Sequence, residues 1–165
     1  MDAMVKEVCG LLEEQRLPRW QELPDLELYM DQVLSLVGRY LGGYPGFDGK
    51  GLTASMVNNY VKQGVMPPPV KKKYTRGHLA YLLVICLLKA SLPIAAIQQL
   101  LVMELEGGDL AAFYDRFCAL FEESCRATAA AHADRESEAA KALCRAALRA
   151  QAEQALALRL SGSIV

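Results

Sequence analysis

Ser55, Asn58, Asn59 and Lys62 recur at spacings of three and one residues, and Lys71, Lys72 and Lys73 lie closely behind them. On a helix turning about 100° per residue the first four share one side, with Met56, Val57, Tyr60 and Val61 forming an apolar stripe away from them. Asparagine can bond adenine N6 and N7 as a bidentate pair, and serine and lysine can reach bases or phosphate oxygens. A donor-rich face without carboxylates therefore suits a groove edged with phosphates, although a solvated amphipathic helix carries the same pattern.

Other reactive side chains form no recognisable constellation. His78 and His132 lie in separate helical contexts, and neither sits at nucleophile–base spacing from a carboxylate or thiol. His78, near the start of a helix, reads as a surface residue. The five cysteines, Cys9, Cys86, Cys118, Cys125 and Cys144, are odd in number and contain no CxxC pair, so reduced thiols are expected and no metal site is assigned. Cys118 and Cys125 share a helix face but stand two turns apart, about 10.5 Å, too far to join within that helix. The segment GYPGFDGKG lacks the K-[ST] ending of a phosphate-binding loop. No enzyme activity and no cofactor is expected.

Charge is unevenly distributed along the 165 residues. Residues 50–103 hold seven Lys or Arg and no Asp or Glu, whereas both flanks are net acidic and the whole chain is at −1. Such a block concentrates positive potential and can draw in a polyanion despite near neutrality overall. The apolar run Leu79 to Leu88 ends at Lys89 and is too short to cross a bilayer. Acidic residues interrupt the N-terminal stretch where a signal peptide needs an apolar core. A cytoplasmic location is expected, with no membrane partner.

The elements that position these residues read as helices, giving an all-α, mainly helical class. Residues 3–16 place Met4, Val5, Val8, Leu11 and Leu12 at helical spacing. Asp25 is expected to cap a second helix from about Leu26 to Leu41, and the glycines from Gly42 to Gly51 end it. Thr53 is the expected N-cap of a third helix through Gln63, with Gly64 in the left-handed position that closes it. Pro67, Pro68 and Pro69 make a stiff extended strip leading to a short β-wing or arm over Val70 to Tyr74. Thr75 caps a helix buried through Leu79, Leu82, Leu83, Cys86 and Leu87, and Pro93 opens another containing Ile97 and Leu101. Beyond, Leu110, Phe113, Tyr114, Phe117, Leu120, Phe121 and Cys125 recur as an amphipathic or coiled-coil seam. After a polar break near His132 to Arg135, an alanine-rich helix carries Leu143, Leu148, Leu156 and Leu160.

The stretch from Leu52 to Leu101 resembles the winged helix-turn-helix of MerR-type bacterial regulators. Tyr60-Val61-Lys62-Gln63-Gly64-Val65 matches the end of that family's recognition helix. Tyr74-Thr75, Leu79 to Leu88 and Ile97-Gln98-Gln99-Leu100-Leu101 match the helices C-terminal to its wing. More closely, the chain resembles a family of uncharacterised bacterial proteins, the YkrK-like family, which extends this core at both ends and takes in Leu23 to Gln32. Three departures stand out: Asn58 replaces the usual arginine, the Gly42 to Gly51 loop separates the two helices, and the wing is lysine- rather than arginine-rich.

The resemblance implies a transcriptional regulator binding double-stranded DNA. Ser55, Asn58, Asn59 and Lys62 would enter the major groove, and Lys71, Lys72, Lys73 and Arg76 would clamp phosphates; Thr53 and Tyr74 complete the DNA-facing set. It implies an N-terminal helix and winged core over residues 1–105, and a helical dimerisation or effector region over 106–165. The homodimer would form through the C-terminal helices, with an intramolecular hairpin as the alternative and no effector identified. A competing reading is a helical adaptor using the same basic strip to bind an acidic protein or an RNA.

Overall fold

The computed structural model describes residues 3–47, 51–106, 108–133 and 139–162. Its helices are α1 (Ala3–Glu13), α2 (Met30–Leu41), α3 (Ala54–Lys62), α4 (Arg76–Leu88), α5 (Ile94–Leu105), α6 (Leu110–Ala133) and α7 (Ala139–Gly162), with a 3-10 turn at Trp20–Glu22. The class is therefore all-α among the described residues, with β-structure confined to the isolated bridges Leu28–Tyr74 and Val70–Lys73.

Helix α4 is buried around most of its circumference: every residue from His78 to Cys86 except the half-exposed Tyr81 is inside. This exceeds the one-sided stripe expected from its spacing, because helices α2, α5 and α6 all pack against it. Val33, Val37 and Leu41 of α2, Val57 and Tyr60 of α3, Ile97 and Leu101 of α5, and Phe113, Tyr114 and Cys118 of α6 join the same core. Beyond residue 105, Phe113, Tyr114 and Cys118 in the first turns of α6 are buried in the same cluster as Val57 and Tyr60 of α3.

Helix α3 is delimited by local chemistry as its sequence predicts. The Thr53 hydroxyl accepts from the Met56 N–H at 3.2 Å. At the other end Gly64 adopts φ +71° while its N–H bonds Val61 O (3.0 Å) and the Val65 N–H bonds Tyr60 O (2.9 Å), a Schellman closure. Gln98 of α5 donates to the Gln63 and Gly64 carbonyls at 3.1 and 3.3 Å, tying this end to the core. A Cβ at Gly64 would stand 3.3 Å from that amide and force an L-residue into left-handed space. Gly64→Ala is expected to cost about 1–2 kcal/mol in urea unfolding, and an unchanged midpoint would remove this role.

Three expectations change where long-range contacts intervene. Helix α2 begins at Met30, not near Leu26, and its first turn is closed by the Tyr29 N–H donating to Gln32 Oε1 at 2.8 Å. Asp25 caps nothing there, because Leu28 is drawn into an antiparallel bridge with Tyr74, each N–H meeting the other's carbonyl at 2.8 Å. Helix α1 buries Cys9, with Val5 and Leu12 half-buried, while Met4, Val8 and Leu11 are exposed; it turns this narrower face to α6. Helix α7 lies against α1 and α5. The break expected near His132 to Arg135 falls partly outside the described residues, as does Lys50 in the glycine-rich loop.

The linker between α1 and α2 is fixed to α6 by polar contacts. The Tyr114 hydroxyl donates to Pro18 O (2.9 Å) and the Trp20 N–H to Asp115 Oδ1 (2.7 Å). Buried Glu122 accepts from the Leu17 N–H (3.3 Å) and from Arg19 Nη2 (2.7 Å).

Candidate nucleic-acid interface

On α3, Val57 and Tyr60 are buried while Ser55, Asn58, Asn59 and Lys62 are exposed, the division their angular positions require. These four side chains line, with Met56, a shallow hollow of about 360 Å³. Thr53 is exposed but its oxygen is committed to the helix cap.

The basic strip after the prolines is a tight hairpin. Val70 and Lys73 exchange both backbone hydrogen bonds, at 3.2 and 2.9 Å. Between them Lys71 and Lys72 have φ +49° and +62°, so both central residues of the two-residue loop are left-handed. That geometry matches the twist of paired extended segments and normally selects Asn and Gly. Lysine there is strained by about 1–2 kcal/mol per residue, and both side chains are exposed at the tip. Strain of this kind persists where the surroundings enforce it and marks a segment for functional attention.

The other expected contacts divide differently. Lys73 is half-buried, its ammonium 3.5 Å from the centroid of the Tyr29 ring, a cation–π contact anchoring the hairpin to the segment before α2. Tyr74 is a correction: at 4% exposure its ring is in the core. Burial raises its phenol above the ordinary 10.0. Pairing with Leu28 turns it inward. Arg76 is also drawn in, its side chain 15% exposed, with Nε donating to Leu23 O at 3.1 Å, Nη2 3.5 Å from Asp25 and the guanidinium over Trp20 at 5.7 Å. Its charge is partly spent inside the protein and it does not stand with the exposed lysines.

His78 is a further correction, being 6% exposed rather than on the surface. Its Nδ1 accepts from the Thr75 N–H at 3.0 Å, and its Nε2 lies 3.3 Å from Pro68 O. Because the backbone N–H can only donate, Nε2 carries the proton and donates to Pro68. One neutral ring thus joins the cap of α4 to the proline strip, and it meets the Tyr74 ring edge-on at 5.3 Å. Sequence reasoning missed this role and that of Tyr29; the Thr-x-x-His spacing of a capping box was the available signal for His78.

Among the described residues no group of three or more His, Cys, Asp or Glu side chains could hold a metal ion. Among them, too, no helix is long and apolar enough to cross a membrane. Four of the cysteines are buried and Cys144 is exposed, all as free thiols.

A helical core thus carries a helix with an exposed polar face and a hairpin with two exposed lysines at its tip. The chain belongs to the family described as domain of unknown function DUF1836, whose model matches residues 18–117. That match begins at the linker before α2 and ends within α6, so it takes in α3 and the hairpin and leaves out α1 and α7. No curated protein and no solved structure matches the chain.

Proposed function

We propose that this chain is a DNA-binding transcriptional regulator with a MerR-type winged helix-turn-helix core, of the YkrK-like kind. In this reading α2 and α3 are the two motif helices, α3 enters the major groove, and the Val70–Lys73 hairpin is the wing. The observation that carries the proposal is the exposure of Ser55, Asn58, Asn59 and Lys62 together on α3, with its apolar side anchored in the core. The order of helix, loop, helix, hairpin and helix supports it, as does the acid-free composition from residue 50 to 103.

Asn58 and Asn59 supply paired donors and acceptors for base edges, and Ser55 and Lys62 contact bases or the backbone beside them. Lys71 and Lys72 reach flanking phosphates. Lys73 and Arg76 shape the wing from within instead, Lys73 through Tyr29 and Arg76 through Leu23 and Trp20. Three outward lysines contacting phosphate give a log–log salt slope of about −3 per chain on duplex DNA.

Selection of bound duplexes from a random pool tests the proposal. A recovered consensus is expected, and Asn58→Ala is expected to relax one or two of its positions, each worth about 1–3 kcal/mol of discrimination, while the salt slope stays unchanged. Failure to enrich any sequence, with no salt-dependent retention of the pool, would discard the regulator reading.

A further inference from the structure

Most apolar side chains around α4 lie inside the core, but one set at its C-terminal end is only half covered. A groove of about 450 Å³ between α4, α5 and α6 is lined by Leu87, Leu88, Leu100, Phe113, Phe117 and Phe121. All but Phe113 are half-buried, packed on one side against the core and open to the groove on another. A hollow of this size falls within the range of about 300–1,000 Å³ that small-molecule sites occupy. Its phenylalanine rings supply flat walls suited to edge-on or offset contact with a further ring.

The polar groups of the groove differ in what they are already committed to. Glu104 and Arg116 pair at 3.1 Å, so opposite charges at the rim cancel and a charged ligand would have to compete with an existing ion pair. The Ser124 hydroxyl donates to Leu120 O at 2.7 Å. Tyr44 also lines the groove, and among the described residues its hydroxyl has no hydrogen-bond partner. Its ring is nevertheless held in place. Tyr44 meets Phe121 edge-on at 5.2 Å, and its backbone closes turns with Leu41 (3.0 Å) and Phe47 (2.9 Å). Gly46 comes so close that a Cβ there would stand 2.6 Å from the tyrosine ring. Burial raises the phenol above the ordinary 10.0, which keeps it a donor at neutral pH. A fixed, uncommitted donor in the wall of an apolar hollow is the kind of group that orients a ligand.

We propose that this groove binds an uncharged aromatic small molecule whose hydroxyl or carbonyl oxygen accepts a hydrogen bond from the Tyr44 hydroxyl. Phe113, Phe117 and Phe121 flank its flat body, and the Glu104–Arg116 pair stays intact at the rim. The site shares no residue with α3 or the hairpin, so ligand binding here is independent of whether the chain binds DNA.

Fluorescence titration of the full chain with 1-anilinonaphthalene, an uncharged aromatic probe, and with its 8-sulfonate separates shape from charge. Saturable uptake of one uncharged probe per chain is expected, with the sulfonate bound about tenfold more weakly because its charge must be desolvated without a vacant partner. Ser124 is exposed and lines the groove, so Ser124→Trp is expected to fill it, keep the helical circular dichroism and abolish uptake. Leu148→Ser with Leu156→Ser removes exposed leucines of α7 and is expected to leave uptake unchanged. Displacement of the probe by 1-naphthol and by naphthalene reads the hydroxyl. Naphthol is expected to compete about fivefold better, and Tyr44→Phe to erase that margin while the probe still binds; this comparison decides the matter even if the tryptophan variant fails to fold. No saturable uptake, uptake that survives Ser124→Trp or follows the α7 leucines, equal affinity for the sulfonate, or a naphthol preference indifferent to Tyr44→Phe each overturns the proposal.

Discussion

Replacing Lys71 with Asn and Lys72 with Gly is expected to stabilise the protein while weakening the duplex-DNA binding proposed for it. The two lysines occupy left-handed backbone at φ +49° and +62°, a conformation that costs an L-residue with an unbranched charged chain about 1–2 kcal/mol. Asn tolerates it and Gly adopts it freely, though Gly also enlarges the entropy of the unfolded chain by about 0.5–1 kcal/mol. The net expectation is a gain near 1 kcal/mol in urea unfolding. Binding moves the other way. Each phosphate contact contributes roughly fivefold at 0.15 M salt through counterion release, so losing two weakens the complex on the order of thirtyfold and lowers the salt slope by about 2 per chain. Fluorescence anisotropy on a labelled duplex at several salt concentrations reads both quantities. A stabilised variant with undiminished affinity would take the hairpin tip out of the interface, and a destabilised one would refute the strain argument.

A steep loss of stability in alkali is the second large effect. Burial raises the phenols of Tyr44, Tyr60, Tyr81 and Tyr114 and the thiols of Cys86, Cys118 and Cys125. Cys86, 6% exposed, is pushed up from 9.0 to about 11. Tyr114 is raised further, its fully buried hydroxyl donating to Pro18 O at 2.9 Å. In the unfolded chain these groups titrate near the ordinary 9.0 for cysteine and 10.0 for tyrosine. Above pH 9 the unfolded state therefore binds fewer protons than the folded one, and the stability present at neutral pH declines as pH rises. Cys86 alone contributes a loss of about 2–3 kcal/mol by pH 11, and Tyr114 adds to it. Unfolding under reducing conditions, followed by circular dichroism between pH 7 and 11, is expected to show the decline beginning near pH 9. Tyr114→Phe is expected to cost about 1 kcal/mol at pH 7 through the lost hydrogen bond and to flatten the curve above pH 10. A stability independent of pH up to 11 would contradict the burial of these groups.

Much of α3 could be read directly from its own residues. A threonine before it, a glycine after it and apolar positions every three or four residues specify its start, its end and its inward side, since capping and helical angle act within a few residues of the chain. Pro67 to Pro69 likewise exclude helix by their own ring geometry, and the acid-free block is a property of composition. The hairpin was only partly legible, because Lys-Lys carries none of the turn chemistry that announces two left-handed residues.

Which side chains of the basic strip remain available was decided by contacts across the fold. The pairing of Leu28 with Tyr74 keeps Asp25 to Tyr29 out of helix, turns Tyr74 inward and brings Tyr29 beneath Lys73. Leu23 and Trp20 then hold Arg76, and Pro68 meets His78. The C-terminal leucines are a similar case: the same spacing serves for burial in α6 and leaves most of them exposed on α7. Periodicity states that a side is apolar, but whether that side is covered depends on elements distant in sequence, and the pattern of one helix contains no term for its neighbours.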